Sequence, residues 1–467
     1  MTKGLKYTLY GILAFNVVGI VLALIFSGTI IFDSFEHLRM SWLVSQGYVP
    51  YRDFFEHHHP LMWYAFAPII KVLPHDFMLI FYVSRLISAI ASCGKFYIIY
   101  LILKNYFKDE KLFMYFFASV AVFYPVWYGF SLFKPDTFEY LFYFWGLYCF
   151  FKYIDSGKSK FLTCCGICFT IAFLFLQTVI FEIFPLAVYM LWLLYNKKVP
   201  MKDLLFAFIP SIAIIGFAIA CLFFSDSWTE YFQLNWILNS KVFSLNSYYV
   251  ERGTVIHFFA LHLLAGFAAI FWLYKKKENN KYINIIALLY VCSVVQHLCF
   301  KAYFAHYLIH AFTLEAMLIA PCIKSFFADK KYKMISIYTV LFLILSCGLN
   351  YFTILHHNNI DRNKQMKIIN NSDDLCFTVV GNLYAIYNPK LSYYVMQADI
   401  ASVDNYLYNR YPDYDINDVI NKYKPQYLDY DNLQKEKNEK YKVSDLVLSD
   451  YVQVHPYLWQ RKDTILQ

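Results

Sequence analysis

Eleven stretches of mostly apolar side chains, each about the length of a membrane helix, dominate this sequence. They lie at roughly 6–27, 77–103, 112–127, 136–152, 161–176, 178–195, 203–224, 254–274, 282–299, 304–323 and 335–353. In lipid, backbone polar groups must be satisfied within the segment, so such runs fold as helices. The first is long, has no small-residue cleavage site and is followed by further spans. It reads as a retained helix and not as a removed signal peptide. With 59% hydrophobic and 21% aromatic residues, the chain is far from a soluble composition.

Lysine placement sets the expected orientation. Alternate short loops carry Lys3 and Lys6; Lys104, Lys108 and Lys111; Lys152, Lys158 and Lys160; Lys197, Lys198 and Lys202; Lys275, Lys276, Lys277 and Lys281; and Lys324, Lys330, Lys331 and Lys333. The opposite loops are longer and hold far fewer cations. By the positive-inside bias the N-terminus is cytoplasmic, and eleven spans then place the C-terminal tail outside. The net charge of +8 is mostly this topology signal, and nothing points to nucleic acid. Ten of the eleven cysteines lie in or beside apolar segments, so Cys164, Cys165 and Cys168 read as packing groups and no disulfide framework is expected.

Three regions stand apart from the membrane helices: the external loops 28–76 and 225–253, within a domain spanning 1–353, and the tail from 354 onward. Loop 28–76 is too long for a connector. Phe35, Leu38, Trp42 and Leu43 recur at helical spacing and predict an amphipathic helix on the membrane surface, broken by Gly47 and Pro50. Residues 60–73 are too short to span and read as re-entrant or interfacial. The polar tail, 354–467, alternates strand and helix patterns: CFTVVG at 376–381, then INDVINKYKPQYLDYD at 416–431, then KVSDLVLSDYVQVHP at 442–456. That order predicts a small extracytoplasmic α/β domain, a scaffold or a lid.

Acids and histidines crowd the external side: Asp33, Glu36, His37, Asp53, Glu56, the run His57–His59, Asp136, and the late pair His306 and His310. Ionisable groups beside or inside spans are costly, so they default to functional readings. Asp33, Glu36 and His37 share one helical face. Asp33 there serves equally as general base for a hydroxyl or as N-cap, since Asp33-x-x-Glu36 matches a capping box. Asp136 is accounted for by the helix dipole, but Lys134 at a helix start is not unless an anion is near. Lys134, Arg85 and Lys301 together suit a lipid-linked phosphate. His306 and His310, four apart, have metal-ligand spacing, or serve in cavity hydrogen bonding or phosphate binding. The three adjacent histidines are expected to diverge, so one metal held by all three is not expected, and no metal ligand is assigned. A divalent metal is compatible with the sequence and not required by it. Trp63, Tyr64 and Trp236 suit sugar stacking or interfacial anchoring.

These features resemble the GT-C superfamily of membrane glycosyltransferases. The resemblance rests on Asp33 after the first span, the Gly47-x-x-Pro50-Tyr51-x-Asp53-Phe54-Phe55 stretch, the histidine run closing on Pro60-Leu61-x-Trp63-Tyr64, and Lys134-Pro135-Asp136 at the start of the fourth span. The nearest branch is similar to bacterial relatives of protein O-mannosyltransferases and lipid A aminoarabinose transferases.

The resemblance implies an inverting enzyme using a sugar on polyprenyl phosphate, with a glycan, lipid or protein acceptor at the external face of the inner membrane. It implies Asp33 as the acid that orients or deprotonates the acceptor. The aminoarabinose branch has Lys-Pro-Pro-Leu where this chain has His58-His59-Pro60-Leu61, which carries a phosphate-contact role to His58. The chain departs from that pattern there, and also where Ser34 follows Asp33 in place of a second acid. Arg85, Lys134 and Lys301 are the other expected phosphate contacts. Glu36, His37, Asp53, Glu56, Asp136, His306 and His310 are the expected sugar or acceptor contacts. Two rival readings are a polysaccharide or lipid transporter, disfavoured because the polar groups crowd one side, and an O-antigen ligase or polymerase, whose long loop is expected late in the chain.

Overall fold

The computed structural model describes residues 32–120, 129–242, 252–277, 280–299 and 308–328. In the tail it describes 375–378, 386–391, 415–430, 443–455 and 458–465, with a few isolated positions besides. The expected first and last spans, 6–27 and 335–353, and the candidate residues Lys301 and His306 lie outside the described residues. The chain divides into two compact units. One comprises Met1–Ser27, Leu86–Phe217 and Leu245–His357; the other comprises Gly28–Arg85, Ala218–Ser244 and Asn358–Gln467.

The helices that feed the first unit are α3 (Phe77–Tyr106), α4 (Leu112–Val120), α5 (Pro135–Ser156), α6 (Ser159–Phe175), α7 (Val179–Tyr195), α8 (Met201–Phe224), α11 (Arg252–Lys275), α12 (Lys281–Cys299) and α13 (Ile309–Ala328). Each expected apolar segment between 77 and 323 overlaps one of them over the described residues. Among the described residues, α3, α8 and α13 are long and apolar enough to cross a membrane, and α6, α7 and parts of α11 and α12 are shorter apolar helices.

Their outer faces are oily. Ile209, Ile212 and Phe217 on α8, Phe184 and Leu191 on α7, and Leu264 and Phe271 on α11 are exposed, as lipid-facing residues must be. The inner faces form one core that includes Phe116, Tyr143, Phe144, Leu147, Leu289, Tyr290, Phe312 and Leu314. Close approach is set by small residues. A Cβ at Gly166 of α6 would lie 2.5 Å from the Ala207 carbonyl oxygen of α8.

Helix ends follow local chemistry. α5 starts with Pro135 after an extended Lys134, and ends at Gly157, whose φ of 63° suits the left-handed cap; its N–H donates to the Tyr153 carbonyl. The lysine-bearing ends of this unit are cross-linked. Lys324 pairs with Asp109, Asn280 Nδ2 donates to the Tyr106 carbonyl at 3.0 Å, and Tyr282 donates to Asp155. The loops after α3, α5 and α11 therefore gather with the C-terminal end of α13.

The second unit contains α1 (Phe32–Ser45), α2 (Leu61–Val72), and the tandem α9 (Trp228–Phe232), a π-helical turn (Gln233–Leu238) and α10 (Asn239–Val242). In the tail it has β1 (Cys376–Thr378), α14 (Ile416–Tyr423), β2 (Tyr427–Asp429), α15 (Asp445–Leu448), β3 (Tyr451–His455) and β4 (Leu458–Arg461). The sheet order is β1-β2-β4-β3, with β1 and β2 parallel and the other pairs antiparallel. Asp415 and Ser444 cap α14 and α15 by accepting from the N–H groups of Asn417 and Val447. Phe377, Ile416, Ile420, Leu428, Val443, Val447 and Tyr451 form its core. Along the chain the described elements of the tail run strand, helix, strand, helix, strand, strand.

One expectation is corrected. α1 is not a half-exposed surface helix, because every residue from Phe35 to Leu43 is buried. Its polar residues are covered by protein. Arg39 donates to the main-chain oxygens of Ile386 (2.9 Å), Asn388 and Pro389 (3.2 Å), so the tail closes over the face that sequence spacing assigned to water.

Candidate functional site

The first loop is folded tightly after α1. Gly47, at φ +91°, turns the chain, and Asp53 closes the next turn by accepting from the Val49 N–H at 2.7 Å. Arg52 donates to both Asp53 oxygens at 2.9 Å. Burial raises the Asp53 carboxyl, but the Arg52 fork and the Val49 N–H outweigh this and hold it below the usual carboxylate range. Asp53 is thus engaged in the loop's own scaffold, where a sugar contact was expected.

Tyr51 sits at φ 70°, fully buried, a backbone conformation that costs a non-glycine residue and is kept only where surroundings enforce it. The enforcement is visible. Tyr51 Oη donates to the His58 carbonyl at 2.6 Å, and Tyr393 Oη from the tail donates to the Tyr51 carbonyl at 2.7 Å. The Phe55 N–H donates to the Tyr393 carbonyl at 2.9 Å, and Asn239 Nδ2 to the His57 carbonyl at 2.9 Å. The histidine run is therefore held by main-chain bonds on both sides.

These bonds deliver the histidines to two places. Glu56 Oε1 accepts from the N–H groups of His57 (2.7 Å) and His58 (3.2 Å), and lies 2.7 Å from His58 Nδ1. The His57 and His58 rings are 4.0 Å apart between centroids, and His37 lies edge-on to His58 at 5.0 Å. His59 turns away, with Nε2 3.1 Å from Tyr231 Oη. The expected divergence thus holds for His59, whereas His57 and His58 converge on Glu56.

Glu56 is 1% exposed. Burial raises its carboxyl, but the His58 imidazole beside it outweighs this and holds Glu56 well below the usual range. Burial, then the His58 imidazole, pushes His57 down to about 3, so it is neutral at physiological pH. His37 Nδ1 accepts from Trp63 Nε1 at 3.1 Å, which leaves the ring proton on Nε2. Glu36 is 4% exposed on the same turn of α1, and Asp33 lies in that helix's first turn. Arg85, also in this unit, is buried with its guanidinium 4.5 Å over the Phe81 ring.

The remaining described candidates lie in the first unit. Lys134 and Asp136 are both buried at the start of α5. His310 Nε2 lies 3.0 and 3.1 Å from the two oxygens of Glu139, and its ring meets Tyr140 and Tyr143 edge-on at 4.5 Å each. Glu182 Oε1 accepts from Ser293 at 3.0 Å. Sequence reasoning did not single out Lys95, which is 4% exposed on α3 with its ammonium 4.9 Å from the Phe96 ring and 5.5 Å from the Tyr140 ring. A cation in mid-span was the available signal. Tyr51 and Tyr231 were missed because aromatics are too common here to carry one.

Comparisons with known proteins fit this architecture. Residues 58–225 match a family model described as dolichyl-phosphate-mannose-protein mannosyltransferase. The structure is similar to that of ArnT from Cupriavidus metallidurans bound to undecaprenyl phosphate, with a TM-score of 0.57 and 9% identity over 85% of this chain and 88% of that one. No curated protein matches the chain. The family model and the shared fold bear out the resemblance to GT-C membrane glycosyltransferases.

Proposed function

We propose that the protein transfers a sugar from a polyprenyl-phosphate carrier to a glycan, lipid or protein acceptor at the external face of a bacterial inner membrane. The observation that carries this reading is the buried acid–histidine group around Glu56, built on the first loop of a chain with a mannosyltransferase family match over 58–225. The similar ArnT structure holds undecaprenyl phosphate, which supports a lipid phosphate as the donor's leaving end.

In the reaction, the acceptor oxygen attacks the anomeric carbon from the side opposite the phosphate. The carbon–oxygen bond to phosphate breaks, and the lipid phosphate departs with the electron pair. Asp33 takes the acceptor's proton. Arg85, Lys134 and Lys301 supply positive charge, and His58 a ring N–H, to the charge growing on the phosphate. Glu36, His37, Asp136, His306 and His310 contact sugar or acceptor. Asp53 is left out, because its carboxylate is engaged by Arg52 and Val49.

Asp33→Asn tests the base. The expected outcome is normal membrane insertion with at least about a hundredfold loss of transfer, the scale of one positioned base. Near-normal transfer removes Asp33 from that role. A transporter instead predicts movement of the lipid-linked sugar across proteoliposome membranes with no covalent product.

A further inference from the structure

One ligand atom from each of Glu36, Glu56, His57 and His58 lies within 4.8 Å of every other. Three of these residues are consecutive in the loop, and the fourth reaches them from α1. Glu56 uses only one oxygen on its neighbours. Its Oε2 is buried with no hydrogen-bond partner, as is His57 Nδ1, which lies 3.4 Å from Glu56 Oε1 without hydrogen-bond geometry.

Two carboxylates buried this close repel each other, and burying such charge is costly unless a cation joins them. The scaffold that would hold a cation is already fixed. Tyr51 and Asn239 pin the carbonyls of His58 and His57, and Trp63 sets the His37 ring beside His58. Metal sites depend on this kind of outer support.

The donor set is two carboxylate oxygens and two imidazole nitrogens. Magnesium and calcium favour six or more oxygens, whereas zinc takes four such donors in a tetrahedron. Zinc–ligand bonds of about 2.0–2.2 Å need ligand atoms about 3.3–3.6 Å apart, so the present spread closes by movements of about 1 Å. We infer that Glu36, Glu56, His57 and His58 form a binding site for one divalent transition-metal cation, with zinc the best match.

The site requires no particular reaction. Its use in catalysis, supplying positive charge on the face that carries Asp33, rests on the glycosyl-transfer reading.

The test uses tag-free full-length protein in detergent, stripped with a chelator and titrated with zinc chloride alone by calorimetry. The expected result is one equivalent bound, with affinity reduced about 100-fold or more in Glu56→Gln and in His57→Ala, and unchanged in His455→Ala on the tail sheet. Melting of the zinc-free variants checks that they fold. Should either misfold, cobalt(II) loaded into the unaltered protein decides the matter by its visible spectrum. Intense tetrahedral bands support the site, and a weak octahedral spectrum overturns it. Absence of saturable binding, or affinity unchanged in both folded variants, also overturns it. Zinc binding retained in a transfer-dead Asp33→Asn protein leaves the site standing. Zinc binding in a protein whose unaltered form transfers no sugar discards the catalytic reading and keeps the site.

Discussion

In the helical unit, two buried acids are each matched by one partner from another helix. His310 of α13 meets Glu139 of α5, and Ser293 of α12 meets Glu182 of α7. In the other unit, acids and imidazoles are gathered: Glu36, Glu56, His37, His57 and His58 sit together in one short loop and the helix before it. The first arrangement joins helices pairwise and leaves His310 Nδ1 buried with no hydrogen-bond partner. The second is expensive in like charge and requires a scaffold, supplied by Tyr51, Asn239 and the tail. Groups concentrated at such cost belong to function more often than to folding.

Perturbing each side breaks the comparison in its own way. The largest expected effect is in the helical unit. His310→Leu removes one partner and leaves the buried Glu139 without its imidazole, which should cost about 3–5 kcal/mol, while the double change with Glu139→Leu recovers much of the loss. Thermal melting in detergent reads both. If the double variant is no better than the single one, the pair does more than hold helices together.

Next is Gly166→Val, where a side chain meets the Ala207 carbonyl. Overpacking should cost about 1–3 kcal/mol, seen as a lower melting temperature, with zinc binding at the loop unchanged. Arg39→Met should cost about 1.5–3 kcal/mol, because it strips a charged donor from three main-chain oxygens, two of them in buried bonds. Its signature is faster proteolysis of the tail near residues 386–391. The smallest effect is that of Tyr51→Phe, about 1 kcal/mol from one lost hydrogen bond, with a proportionately larger loss of transfer because the histidine run loosens. Equal losses in stability and transfer would reduce the loop to ordinary scaffold.

Much of this was legible in the sequence. Apolar run lengths located the helices between 77 and 323, because lipid-facing surface needs uninterrupted apolar residues. Pro135 marked the start of α5. Asp33, Glu36, His37, Glu56 and His58 were singled out by residue type and neighbourhood.

Tertiary facts stayed hidden. Spacing placed α1 at the membrane surface, because Phe35, Leu38, Trp42 and Leu43 form a stripe. Nothing local reveals that Arg39 is covered by carbonyls some 350 positions later, at 386–389. Asp53 read as a ligand-binding acid, since the turn that engages it is made by its own neighbours. The convergence of His57 and His58 depends on an irregular backbone enforced from Tyr393 and Asn239, which no periodicity records.

The central claim is covalent sugar transfer from a lipid phosphate at the first loop. It is tested most directly with the purified protein in nanodiscs, a polyprenyl-phosphate donor labelled in the sugar, and an extract of envelope acceptors. The account predicts label moving from lipid to acceptor with release of unlabelled polyprenyl phosphate, and neither event with Asp33→Asn. Label that stays on the lipid with the unaltered protein, or that moves equally well with Asp33→Asn, would contradict it.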